Sequence, residues 1–219
     1  MSTLTPKPVD FKFGEYLNKG FELFKKDMGT FIVAFLFAVI FSIIPIFSFL
    51  AAGNFIILAR KINQGEQVSV TEIFNFDDFM VYFKLFLILL AAILVIQLPI
   101  FFLMPKPDES GMATSADFPA GFMIFFFALF VVLYYFLLKA YYIIPLISLE
   151  NVKSLKEAWS ISSLMTSGNL LVILGFALVV GIIGELGVLA CFVGLFFTLP
   201  LTYVLQYVSY EDGINQIKS

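Results

Sequence analysis

Residues 31–61 read FIVAFLFAVIFSIIPIFSFLAAGNFIILARK. From 31 to 59 the run carries no charge; it closes on Arg60 and Lys61, and Lys25 and Lys26 stand before it. A straight helix crosses the hydrocarbon core of a bilayer with about 20 apolar residues. This run is too long for one such helix and short for two, and Pro45 sits near its middle. Cations at both ends favour placing both ends on the cytoplasmic side. The run therefore predicts two short helices joined near Pro45 as a tight hairpin, with one long helix kinked at the proline as the alternative.

The whole chain shares this character. Hydrophobic residues make up 61% of it and charged residues 13%, with a mean hydropathy of +1.00. A soluble domain is about half apolar and about a quarter charged. A soluble fold of 219 residues has no core able to hide that much apolar surface, whereas a bilayer removes the need. The 29 phenylalanines suit lipid-facing and packed helix surfaces. A net charge of −3 without a basic run excludes nucleic acid as a partner. The single cysteine, Cys191, forms no intrachain disulfide and reads as a small packing residue in an apolar run. The first apolar run begins near Phe31 without a small-residue cleavage site after it, so it is expected to stay in the mature protein.

Working outward, residues 1–9 form a short proline-containing tail, and residues 11–27 are amphipathic. Phe13, Leu17, Phe21 and Phe24 share one helical face; Glu15–Lys19 and Glu22–Lys26 form pairs four apart on another. Such a helix is suited to lie in the membrane interface. Polar residues 64–78 precede an apolar run at 85–104, opened by Lys84. The loop 105–119 is acidic, with Lys106 its only cation, which places it outside the cytoplasm. The return run is 120–148, residues 150–169 are polar, and 170–187 with 192–208 complete a last hairpin before a cytoplasmic tail at 211–219. Of 13 Lys and Arg residues, only Lys106 and Lys139 fall outside the segments assigned to the cytoplasm. The expected fold is an all-α membrane protein of six membrane-embedded helices in three hairpins, each preceded by an amphipathic interfacial helix, with both termini in the cytoplasm of a cell bounded by this inner membrane.

The three leading segments align without gaps: Lys12-Phe13-Gly14-Glu15-Tyr16-Leu17, Ser69-Val70-Thr71-Glu72-Ile73-Phe74 and Ser154-Leu155-Lys156-Glu157-Ala158-Trp159. The second and third are S-x-x-E capping boxes, each expected to start a short helix at the membrane surface. The chain 1–219 thus reads as a single membrane domain of three repeat-like units, approximately 10–65, 66–151 and 152–213.

The last third carries a further string: Glu157-Ala158-Trp159, Ser167-Gly168-Asn169, Gly175-Phe176, the run from Glu185 to Leu195, Thr198-Leu199-Pro200-Leu201 and Tyr210-Glu211-Asp212. It resembles a broad group of prokaryotic membrane proteins of unknown function. These include the YciC-like proteins and those described as "glycerophosphoryl diester phosphodiesterase membrane domain". The resemblance covers residues 150–212 well and 53–79 more weakly, through Gly65-Glu66 and Phe74. Glu185 departs from it, standing where members usually have an uncharged residue, and the first hairpin is shorter than usual. The resemblance implies six membrane helices and no assigned catalytic residue; the phosphodiesterase wording belongs to longer proteins with an added soluble domain.

The chain has no histidine, which removes the commonest general base and metal ligand. No nucleotide-binding glycine loop occurs, and the acidic pairs Asp77-Asp78 and Asp108-Glu109 lie in polar segments. No enzymatic activity, cofactor or metal is expected. Polar residues within apolar runs remain as candidates, since charge in a bilayer is unfavourable by about 2.5–3.5 kcal/mol. Glu185 reads either as a proton, cation or basic-ligand site, or as a carboxylate in water at the outer interface. Lys139 reads either as an amine snorkelling to the headgroups beside Tyr141 and Tyr142, or as a buried partner of a carboxylate. Gln97, Asn54 and Gln206 read as hydrogen bonds between helices. Gly175, Gly181, Gly184, Gly187 and Gly194 mark a closely packed last hairpin, and Pro99, Pro145 and Pro200 fall late in membrane runs. The expected partners are membrane lipids and other membrane proteins. The first functional reading is a scaffolding, assembly or envelope-homeostasis protein; the second is a transporter or exporter of a lipid or small amphiphile.

Overall fold

The computed structural model describes residues 9–103, 120–189 and 192–218, and they are helical, with no strand among them. The tail at 1–8, the loop 105–119 with Lys106, and Cys191 lie outside the described residues.

Helix α1, Phe13–Lys26, is amphipathic, but the side that packs is Tyr16, Gly20, Leu23 and Phe24, while Phe21 is exposed. Gly20 decides this. A Cβ there would lie 2.4 Å from Leu205 Cδ2, so glycine lets α1 approach the last helix without the Leu205 side chain having to move. Lys19 pairs with Glu15 at 3.3 Å, whereas the amine of Lys26 donates instead to the carbonyls of Ile62 and Asn63 at 2.8 and 3.3 Å. A cation satisfying the last carbonyls of another helix complements that helix's dipole.

The run at 31–61 is a hairpin. Helix α2, Met28–Phe41, is capped by Asp27, which accepts from the Thr30 N–H at 3.2 Å. Helix α3, Pro45–Gln64, carries Pro45 in its first turn, where a missing N–H leaves nothing unpaired. The two pack together, with Phe31 and Phe55 rings 5.8 Å apart, and the kinked-helix alternative falls away. At 14 residues α2 is about 21 Å long, short of the ~30 Å hydrocarbon core.

A capping box does form at Ser69, whose N–H donates to the Glu72 carboxylate at 3.3 Å, but it opens only a five-residue 3-10 helix, Val70–Phe74. The interfacial α-helix expected for the second unit is therefore replaced by one tight turn. Helix α4, Phe79–Leu103, follows. The return run is two helices, α5, Ala120–Lys139, and α6, Ile143–Glu150. Ser162 makes the break: its hydroxyl donates to the Lys139 carbonyl at 2.6 Å and accepts from the Tyr142 N–H at 3.2 Å, taking over backbone bonds from the helix. Helix α7, Leu155–Met165, starts at its Ser154 cap. Helices α8, Leu170–Leu189, and α9, Leu195–Lys218, form the last pair. The tail expected from 211 onward is a continuation of α9.

Among the described residues four stretches are long and apolar enough to cross a membrane: Pro45–Gln64, Phe79–Leu98, Gly121–Glu150 and Leu170–Leu189. Two buried clusters form the core, one built by α1, α2, α3, α8 and α9, the other by α3, the start of α4, α6, α7 and α9. Helix α4 lies along α3 and α5 against α7 and α8, and among the described residues α4 and α5 scarcely touch each other.

Candidate functional site

The polar groups gather at one end of the bundle, where α3, α6 and α9 terminate. Arg60, in the last turns of α3, reaches two other helices. Its guanidinium donates to Glu211 of α9 at 2.7 and 3.2 Å, to Glu150 of α6 at 3.3 Å and to the Leu149 carbonyl at 3.0 Å. Lys218 closes the cluster on Glu150. Arg60 and Glu150 are 21% exposed at the side chain and Glu211 28%, so water screens the cluster only in part. A planar fork satisfied by two carboxylates and a carbonyl fixes three helix ends in one geometry.

Tyr16 ties the first helix to the same end. Its hydroxyl donates to Asp212 at 2.7 Å, while Lys12 lies 3.6 Å from that carboxylate and Gln216 donates to it at 2.6 Å. Burial, then the bond to Asp212, pushes the phenol above its ordinary pKa, so it remains a donor at any physiological pH. Asp10 N–H donates to Gln216 at 2.7 Å, which brings both described ends of the chain to this one end of the bundle. Lys61 bonds Glu72 at 2.7 Å and holds its carboxyl below the usual range, against the opposing pull of burial.

Tyr82 anchors α4 beneath this layer. Its hydroxyl lies 2.6 Å from Ser148 Oγ, and both crowd Gly53, where a Cβ would come within 2.2 Å of the phenol oxygen. Asn54 donates to the carbonyls of Ile73 and Asn75, both at 2.8 Å, and Gln206 to that of Tyr141 at 2.8 Å, so both bridge elements as expected.

The structure does not bring the three sequence candidates together. Gln97 is exposed on α4 and makes no hydrogen bond among the described residues. Lys139 fits neither reading fully. It is half-buried, and its amine donates to the Ser163 carbonyl at 3.1 Å, docking α5 on α7 with no carboxylate involved. Glu185 is exposed and lines a cleft of about 320 Å³ between α8 and α9, together with Tyr141, Thr202, Tyr203 and Gln206. Of the glycines, Gly184 and Gly187 are the close contacts, the latter with Thr198 Oγ1 2.4 Å from where a Cβ would sit. Gly175 and Gly181 face open space, so the tight packing is confined to the far end of the hairpin. Pro145 falls in the first turn of α6 and Pro200 inside α9.

The residues of the C-terminal string have structural partners. Ala158 and Phe176 are fully buried, Phe176 beneath Phe11, Phe13 and Tyr16; Asn169 bonds the Val9 carbonyl; Glu211 and Asp212 hold Arg60 and Tyr16. Among the described residues no group of acidic or cysteine side chains suits a metal ion. The class these features define is an all-helical membrane protein. Comparison with family models, curated proteins and solved structures finds no match to this chain.

Proposed function

We propose that this chain is a non-enzymatic integral protein of the cytoplasmic (inner) membrane with a scaffolding, assembly or envelope-homeostasis role. On this reading it enters the membrane as three helical hairpins, six embedded helices, with both termini in the cytoplasm, and it belongs with the YciC-like group its C-terminal string resembles. One observation carries the role. Beyond the buried Val81 and Tyr82, α4 is apolar and largely exposed, as is α5, and both flank a core whose polar end is pinned by Arg60. A rigid core bearing two separated apolar helices presents a broad lateral surface to neighbours within the bilayer. Photo-crosslinking residues placed at Val95 and Phe127 in living cells test this. Crosslinks to one recurrent membrane protein or to a second copy are expected; crosslinks to lipid alone overturn it.

A second reading, movement of a lipid or small amphiphile, is favoured by the Glu185 cleft. It predicts that purified protein accelerates lipid exchange across vesicles and that Glu185→Gln alters the rate.

A further inference from the structure

A second cleft opens where α4 and α7 begin, and it is built from both kinds of side chain. Lys84 on the second turn of α4, Lys153 in the turn before α7 and the α7 cap Ser154 line one part of it. Leu87, Ile88 and Leu155 line the other. Its volume is about 570 Å³. Leu87 and Ile88 are three and four residues beyond Lys84, so they share its face of α4 and sit one turn further along the apolar helix. Polar groups at the polar end of the bundle, followed by an apolar wall, reproduce the order of a phospholipid from headgroup to chain.

The charge is not balanced within the cleft. Lys153 bonds Asp78, whose side chain is 10% exposed, while the lysine stays 49% exposed with ammonium hydrogens left to donate. Lys84 is exposed and has no ion pair or hydrogen bond among the described residues. One cation in excess therefore remains at the start of a helix largely open to lipid.

We propose that this cleft binds the phosphate of an anionic phospholipid from the leaflet at the polar end of the bundle. Lys84 and Lys153 take the headgroup, and the acyl chains run along Leu87 and Ile88. Juxtamembrane cations attract anionic lipid with an effect of about fivefold per lysine. The assignment needs only the membrane location, not a partner protein or a transport activity.

Native mass spectrometry of the full chain in detergent, supplied with phosphatidylglycerol or phosphatidylcholine, tests it. Retention of phosphatidylglycerol over phosphatidylcholine is expected. It should fall about fivefold in Lys84→Gln and be kept in Lys84→Arg and in Lys19→Gln, an equal charge change on α1. Equal retention of both lipids, no loss in Lys84→Gln, or equal loss in Lys19→Gln overturns the proposal. A measurement on the unaltered chain guards against misfolded variants: phosphatidylglycerol should protect Lys84 and Lys153, but not Lys19, from acetylation. Failure to protect them also overturns it. The readout is lipid on the isolated chain, so its failure and that of the crosslinking experiment are distinguishable.

Discussion

Helices α3 and α4 lie side by side and differ in almost every other respect. Helix α3 contains Gly53, Asn54 and Arg60 and is buried along most of its length. Helix α4 is the more apolar and the more exposed, with Val95 at 68%. In a soluble protein the order would be reversed. In a bilayer, lipid is as apolar as leucine, so burial of apolar area gives no drive for helices to associate; small residues, hydrogen bonds and close packing do. Small and polar residues therefore mark where α3 packs, whereas the unbroken apolar run of α4 stays at the periphery.

The largest effect should come from filling the closest approach in the core. Gly53→Val places atoms where Tyr82 and Ser148 stand and is expected to cost at least ~3 kcal/mol, read as a collapse of the thermal unfolding midpoint. A midpoint within a degree or two of the parent would break the comparison. Next is Arg60→Met, which leaves Glu211 without its cation and Glu150 with Lys218 alone. Partial exposure tempers the loss to on the order of 2 kcal/mol, measured by chemical unfolding in detergent. Tyr16→Phe removes one hydrogen bond to a carboxylate and should lower stability by about 1 kcal/mol, with Leu205 packing kept.

A smaller effect is set by pH. Lys61 depresses the Glu72 pKa in the folded chain, so the pair stabilises the fold above the ordinary carboxylate value and loses its effect as pH falls through the depressed one. Glu72→Gln should therefore lower the midpoint at neutral pH, with the difference from the parent shrinking as pH falls through the depressed value. Smallest of all, Val95→Ala and Phe127→Ala should leave the isolated chain within about 0.5 kcal/mol of the parent, because neither side chain is packed. Loss of stability there would show that the periphery is held by contacts between copies.

How much was legible follows the same division. Pro45 marked the turn between α2 and α3, and Ser154 caps the helix it was expected to start, whereas the Ser69 box opens only a 3-10 turn where a surface helix was expected. Arg60 was read only as a topological flank, Glu150 as the start of a polar segment, and Glu211 as the start of the tail and part of the C-terminal string. A signal did exist, since one apolar run is followed by the cation Arg60 and two others by the carboxylates Glu150 and Glu211. Their meeting required the packing of three helices whose ends are far apart in the chain. Tyr16 and Gly20 were missed because helical periodicity pointed to the phenylalanine stripe, which α1 only partly buries.

What the sequence determined alone was the solvent: long apolar runs separated by polar turns mark this chain as a membrane protein, because those are properties of composition and local spacing. Which helices form the core, where α5 breaks at Ser162, and which lysine is left unpaired beside α4 were decided by tertiary structure. Those outcomes depend on which side chains face one another across helices, and no single segment carries that information.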